Sequence, residues 1–436
     1  MSLQSLLMPA ITQHLFSRER LLAQRARFEG RRKATGAPHQ VHYFHQVSDP
    51  YCALMADCLP QFLDRYGVEF CPHVVSAPVP AAAPEREKLV VYSRTDAQRL
   101  AQHYGLNFVD PSAQPSEQAL DNATCALVAS VEDGQFVARA CEVSRNLWRT
   151  DGEGASAAGL RQVSREAATL HLQIADALRQ KWGHYLGATL YYGGEWYWGL
   201  DRLYHLEQRL QVLGVARPGV QDLMFPPFED LQSQVSISNP HPIDFFFSFR
   251  SPYSAIVAKR VFELGRLTGA PVRLRYLLPM VMRGLPVPKA KRQYIAHDAA
   301  REAFLRNIPF GRMNDPVGRP TERALAIMPL AEREGRAQDY VLSFMHGVWA
   351  QGLDAGSDRG LKIMVERAGL SWDAACVALK DEAWRATAEA NRQAMLNLGL
   401  WGVPSFHVAD TVVWGQDRLW AVQDALLGSA VSEGTL

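Results

Sequence analysis

The sequence predicts an α/β protein made of two tandem copies of one plan. Each copy is a strand-helix-strand unit and a closing hairpin, separated by a helical insertion. Three observations carry this. The 436 residues exceed what one core organises, since single cores stop growing near about 250–300 residues. Val41-His-Tyr-Phe44 before Asp49-Pro-Tyr-Cys52 returns as Ile243-Asp-Phe-Phe246 before Ser251-Pro-Tyr-Ser254, at a constant offset of 202. The same offset carries Tyr92, Asp96, Arg99 and Phe108 onto Tyr294, Asp298, Arg301 and Phe310. Near the end of each copy, Trp198-Gly-Leu-Asp-Arg-Leu203 matches Trp414-Gly-Gln-Asp-Arg-Leu419 at an offset of 216. Such ordered self-similarity is the signature of an internal repeat.

In chain order, 1–36 reads as a helical extension. Its stretch Ser17 to Lys33 sets Arg18, Arg20, Arg25, Arg27, Arg31, Arg32 and Lys33 between Leu21, Leu22 and Phe28, a pattern expected of a helix lying on copy one with a solvated basic face. Contact with nucleic acid or a membrane surface is the rival explanation. Copy one spans 37–225, with its first strand at Val41 to Phe44 and a helix opening after Asp49. The boundary falls in Pro218 to Pro242, where Pro226-Pro227 and Asn239-Pro-His-Pro242 break any periodicity.

Copy two spans 240–430. Ile243 to Phe249 is a nearly unbroken apolar run, as in a strand covered on both faces, and a helix opens at Pro252, a residue suited to the first helical turn. Pro271 to Leu278 is the next strand. Spaced apolar faces from about Pro288 to Leu398 make the helical insertion. Ser405 to Val408 and Thr411 to Trp414 form a hairpin around Ala409-Asp410, and Arg418 to Leu427 closes the copy. This order is a thioredoxin-like plan.

Composition narrows the function. A formal net charge of +1 removes the sequence-independent attraction that nucleic-acid binders use, so a small-molecule substrate or a protein is the expected partner. No stretch reaches the roughly 20 apolar residues of a membrane span, and Met1 to Arg20 lacks the order of a secretory signal, so a soluble, cytoplasmic protein is expected. The six cysteines (Cys52, Cys58, Cys71, Cys125, Cys141 and Cys376) contain no C-x-x-C pair, and neither they nor the histidines have metal-ligand spacing. No metal is expected.

A strand that turns into a helix directs several backbone N–H groups at one spot, with the positive end of the helix dipole behind them. Ser251-Pro-Tyr-Ser254 occupies that spot in copy two. The Ser251 hydroxyl can donate to an anion there, or it can simply cap the helix. Gly402-Val-Pro404 would lie opposite if Pro404 opens the third strand, leaving the Val403 backbone free to pair with a peptide-like ligand; the isomer of Pro404 stays open.

On these residues, copy two resembles the DsbA-like thioredoxin superfamily, specifically the branch of kappa-class glutathione transferases and 2-hydroxychromene-2-carboxylate isomerases. The matching segments are Asp244-Phe-Phe-Phe247 before Ser251-Pro-Tyr-Ser254, Lys291-x-x-Tyr294-x-x-x-Asp298-x-x-Arg301, Gly402-Val-Pro-Ser-Phe406 and Trp414-Gly-Gln-Asp-Arg-Leu419. The resemblance implies two DsbA/kappa-like domains with inserted helical subdomains, and glutathione as cofactor. It implies that Ser251 hydrogen-bonds the glutathione sulfur, that Val403 and Pro404 meet the cysteinyl backbone, and that Gln416 and Asp417 meet the γ-glutamyl end. Lys291 would reach the glycyl carboxylate or an acidic substrate, with Tyr253, Ser254 and Arg283 facing the substrate. A solvated helix face with spaced ion pairs is the alternative for Lys291, Asp298 and Arg301, and a helix cap is the alternative for Asp417.

Copy one departs from that pattern. Asp49 stands where Ser251 stands, and a carboxylate there opposes an incoming thiolate. Cys52 is expected as a small apolar filler, and Gly187-Ala188 replaces Val403-Pro404. The cluster His184, Tyr185, Tyr191, Tyr192, Trp196, Tyr197 and Trp198 is expected to be packing. The expected activity is a glutathione-dependent isomerase or transferase acting through copy two on a conjugated aromatic carbonyl or carboxylate. A DsbA-type thiol-disulfide oxidoreductase and a non-catalytic binding protein are the alternatives. The chain is expected to work as a pseudo-dimeric monomer or a homodimer.

Overall fold

A computed structural model describes residues 3–149, 157 and 159–432. The first half runs α1 (Leu3–Leu15), α2 (Arg18–Thr35), β1 (Gln40–His45), α3 (Pro50–Arg65), β2 (Glu69–Val74), α4 (Arg86–Tyr104), α5 (Glu117–Glu132), α6 (Phe136–Leu147), α7 (Arg165–Lys181), β3 (Thr189–Tyr192), β4 (Glu195–Trp198) and α8 (Leu203–Val212). The second runs β5 (Ile243–Phe247), α9 (Pro252–Thr268), β6 (Val272–Tyr276), α10 (Lys289–Leu305), α11 (Arg319–Arg333), α12 (Ala337–Ala350), α13 (Asp358–Arg367), α14 (Trp372–Ala378), α15 (Trp384–Asn397), β7 (Ser405–Val408), β8 (Thr411–Trp414) and α16 (Leu419–Ser432).

Packing divides the chain into two compact units. The N-terminal unit holds Ala23–Pro227 and Pro288–Tyr294; the C-terminal unit holds Met1–Leu22, Phe228–Val287 and Ile295–Leu436. Each contains one four-stranded sheet, of order β2-β1-β3-β4 in the first and β6-β5-β7-β8 in the second. In each, the outer β2 or β6 runs parallel to the central strand, and the other neighbours pair antiparallel. The register repeats as well. Val41 faces Phe70 as Ile243 faces Val272, His42 faces Tyr191 as Asp244 faces His407, and Thr189 faces Trp198 as Ser405 faces Trp414. The two sequence offsets therefore carry one ladder onto the other without a slip, and a slip of one residue would turn every side chain to the wrong face.

The helical insertions follow the second strand of each sheet, as α4 to α7 and α10 to α15. All five residues of β5 are buried, which explains its unbroken apolar run; each fully buried Phe contributes about 1.5–3 kcal/mol. The 1–36 stretch does not stay together. From Ala23 it packs in the N-terminal unit, with Arg25 donating to both Glu195 oxygens at 2.7 and 2.8 Å and Phe28 meeting the Tyr192 ring edge. Its first helix belongs to the C-terminal unit, where Thr12 Oγ1 accepts from the Met313 N–H at 2.9 Å and donates to the Met313 carbonyl at 3.1 Å. No helix among the described residues is long and apolar enough to cross a membrane.

Candidate functional site

In the C-terminal unit the chain leaves β5, turns through the Ser251 N–H to Ser248 carbonyl bond (2.9 Å), and enters α9 with Ser251 as its N-cap at φ −90° and ψ 115°. Pro252 at the first helical position has no N–H to waste and a φ already suited to the helix. Ser251 Oγ accepts the Ser254 N–H at 3.1 Å, so it does cap the helix. The cap uses one oxygen lone pair, while the hydroxyl proton is a separate resource. That proton faces the Val403 carbonyl at 3.4 Å, the long limit of a hydrogen bond. Capping and donation are thus compatible functions of one hydroxyl.

The Val403-Pro404 peptide is cis. The Pro404 carbonyl, one peptide further on, accepts the Gly415 N–H at 2.9 Å, which brings the Gly415-Gln416-Asp417 turn beside the Pro404 loop. Gly402 allows the Trp414 indole to close over the loop, because a Cβ there would lie 2.7 Å from Nε1 of that ring. Arg283 Nη2 donates to the Trp401 carbonyl at 3.3 Å, so this arginine braces the same loop.

Several residues expected to meet ligands have other partners. Tyr253 donates its hydroxyl to Asp298 at 2.8 Å, and Asp298 pairs with Arg301 at 2.7 Å. Asp298 and Arg301 are buried, so they are not a solvated helix face; the three residues strut α9 against α10. The N-terminal unit repeats the strut, with Tyr51 donating to Asp96 at 2.8 Å and Arg99 pairing with Asp96 at 3.4 Å. Gln416 is 1% exposed, and its side chain is spent inside the unit: Nε2 donates to Glu302 at 3.1 Å and Oε1 accepts from Arg260 at 3.3 Å. Arg260 also grips Asp230 with two bonds of 2.7 and 2.6 Å. No local pattern announces this Asp230-Arg260-Gln416-Glu302 network, because its bonded pairs lie 30 to 156 residues apart. Asp417 keeps a partly exposed carboxylate, 3.5 Å from Arg418.

Lys291 lies in the segment that packs with the N-terminal unit. Its Nζ donates to the Ala82 carbonyl at 3.0 Å and sits 6.0 Å from the Tyr185 ring centre. Burial lowers its pKa to about 8, since desolvation disfavours the charged form. Ser251 and Val403 are therefore brought together, with Asp417 on the adjoining turn, while the Gln416 side chain and Lys291 are engaged elsewhere. Ser254 is fully buried beneath Ser251.

The corresponding place in the N-terminal unit holds Asp49, whose carboxylate caps α3 through the Tyr51 N–H at 3.0 Å. Burial raises its pKa to about 7, so the negative charge expected to repel a thiolate is only partly present near neutrality. Cys52 is more than a filler. Its sulfur accepts the Gln46 N–H at 3.1 Å and the Ala188 N–H at 2.9 Å, and burial first, then Asp49, pushes the thiol pKa far up. A Cβ at Gly187 would come within 2.6 Å of the Gln46 Cβ, so only glycine allows the approach. The aromatic cluster is packing: Tyr192 and Tyr197 are 0% exposed and Trp196 is 8% exposed. A groove of about 670 Å³ in this unit, lined by Ala53, Asp57, Phe108 and Trp148 among others, runs along the flank of α3 rather than at Asp49. All six cysteines are free, and no group of three metal-ligating side chains occurs among the described residues.

The family description of a DSBA-like thioredoxin domain matches residues 242–427. Residues 242–427 are a DsbA-like thioredoxin domain. A 2-hydroxychromene-2-carboxylate isomerase of Sphingobium xenophagum is 26% identical to this chain over 199 residues, covering 42% of this chain and 97% of the relative. One of Pseudomonas putida is 25% identical over 194 residues, covering 42% and 93%. The solved structure of a 2-hydroxychromene-2-carboxylate isomerase aligns with 24% identity over 44% of this chain and 97% of that one, at a TM-score of 0.38. A cytosolic disulfide reductase of Pseudomonas aeruginosa aligns with 18% identity over 44% and 97%, at 0.34. The two isomerases thus align with this chain along nearly their whole length.

Proposed function

We propose that the DsbA-like domain is a glutathione-dependent isomerase or transferase acting on a conjugated aromatic carbonyl or carboxylate, such as 2-hydroxychromene-2-carboxylate. One observation carries the reading: the Ser251 hydroxyl caps α9 through its lone pair while its proton faces the Val403 carbonyl at 3.4 Å. A thiolate held there accepts a hydrogen bond from the hydroxyl and lies at the positive end of the helix dipole, both of which favour its charged form. The names of the two curated relatives support the isomerase branch.

The sulfur end of glutathione fits these residues, since Ser251 supplies a donor and the Val403 backbone stands opposite. The γ-glutamyl end has Asp417 but not the buried Gln416 amide. Bound glutathione would supply a thiolate nucleophile able to add reversibly to a conjugated double bond, the chemistry that an isomerisation about that bond requires. Ser251 holds the sulfur and lowers its basicity; Arg283 holds the Pro404 loop in place. Without reversal of that addition the same site gives a transferase.

Ser251→Ala is expected to lower kcat/KM by about 10²–10³, the loss seen when one preorganised donor to developing charge is removed, with the fold kept but its stability lowered by the about 0.5–2 kcal/mol of a lost helix cap. Unaltered kinetics on a verified substrate would remove Ser251 from the reaction. The thiol-disulfide oxidoreductase reading has less support, because exchange needs an attacking thiolate and the helix start carries Ser251 and Ser254. Robust insulin reduction would restore it. For the N-terminal unit, the shared strand order and register support descent from the same tandem plan, and the buried Cys52 beside Asp49 supports a non-catalytic role. Six free cysteines fit a reducing, cytoplasmic setting.

A further inference from the structure

Ser254 is fully buried, and its hydroxyl has no hydrogen-bond partner among the described residues. Buried polar groups are normally paired, so an orphan needs a reason. The other unit supplies one. Cys52, the counterpart of Ser254 at the 202 offset, receives N–H bonds from Gln46 and Ala188. The two offsets that align the sheets carry these donors onto Ser248 and Pro404. Proline has no N–H, so the loop that faces Ser251 has lost the donor that satisfies this spot elsewhere. The Cys52 sulfur also donates to Asp49, the counterpart of Ser251, at 3.9 Å, so the matching direction for the Ser254 hydroxyl is toward Ser251.

The Ser251 oxygen has one lone pair taken by the Ser254 N–H, a proton in a long bond to Val403, and one lone pair left. We infer that Ser254 is a positioning residue for a thiolate ligand: when the Ser251 proton turns to the sulfur, the Ser254 hydroxyl donates to the remaining Ser251 lone pair. No proton leaves either oxygen and no bond is made or broken covalently. A chain of O–H donors ending on an anion polarises along its length, so each bond strengthens the next. The inference rests on the thiol reading proposed above.

The test is the pKa of protein-bound glutathione, followed through the ultraviolet absorbance of its thiolate, with S-methylglutathione as a ligand that cannot ionise at sulfur. Ser254→Ala is expected to raise the bound thiol pKa by about one unit, which is about tenfold less thiolate below the pKa. S-methylglutathione affinity should be unchanged, and the melting temperature should be equal or higher because the orphan is gone. Ser254→Cys keeps a weak donor in a volume that Cys52 already fills in the other unit, and should recover part of the shift. A bound thiol pKa equal to that of the wild type in both variants overturns the inference alone. Failure of the wild type to bind glutathione rejects the thiol reading and the inference with it.

Discussion

At the scale of single residues, burial decides what each titratable group contributes. Asp49 illustrates it. From sequence it is a carboxylate at a helix start; in the structure burial raises its pKa to about 7. A raised carboxyl pKa means that ionisation is resisted by the fold, so stability present below the unfolded pKa is lost as pH rises through the folded one. Asparagine keeps the capping oxygen without the charge. Asp49→Asn is expected to raise the melting temperature above that of the wild type at pH 8 and to leave it nearly unchanged at pH 3.5. An equal gain at both pH values would mean that ionisation of Asp49 is not resisted. The same reasoning explains why Tyr253, Asp298 and Arg301 were legible as a motif but not in their role. Spacing shows that the residues recur together; only the packing of α9 on α10 turns them into an internal strut.

At the scale of elements, the strands and the helix starts were legible because their determinants are local. Pro252 at a first helical turn, the five-residue apolar β5 and the short hairpin of β7 and β8 each declare themselves within a few residues. The loop that carries Pro404 is held by distant groups instead: the Trp414 ring over Gly402, Arg283 on the Trp401 carbonyl and the Gly415 N–H on Pro404. Gly402→Ala would force the Trp414 indole outward, since the new Cβ would sit 2.7 Å from Nε1. It is expected to cost about 1–3 kcal/mol, as overpacking usually does. Chemical denaturation and the tryptophan emission maximum measure the cost and the displacement; unaltered stability and emission would show that the loop is not clamped by this ring.

At the scale of the whole molecule, the buried histidines and carboxyls of the N-terminal unit oppose each other. Burial lowers His45 to about 3 and, with His42 and His171 adding to it, His73 to about 4. Burial raises Asp49 and Glu207 each to about 7. Between about pH 4.5 and 6.5 these four groups alone balance, with two protons on the unfolded histidines against two on the folded carboxyls. Burial also lowers the pKa values of His39, His42 and His171 in the same unit, so the unfolded chain binds more protons and the stability of this unit rises with pH across that range. Above about pH 6.5 the unfolded histidines have released their protons and stability falls as the folded carboxyls ionise. Urea midpoints followed by near-ultraviolet circular dichroism should show the rise, and Asp49→Asn should steepen it. A stability that falls between those pH values in the wild type would contradict this account.

The sequence by itself determined the recurrence of its motifs at two offsets, the α/β order of each half and the Ser251 helix start, because strand periodicity, proline and helix caps act over short distances. Tertiary structure alone decided which polar residues face inward. Gln416 and Lys291 read as ligand contacts from their motifs, but Gln416 is bolted to Arg260 and Glu302, and Lys291 packs with the N-terminal unit. A side chain's hydrogen-bond partners are set by what lies across the core, often more than a hundred residues away, and no local pattern encodes that distance.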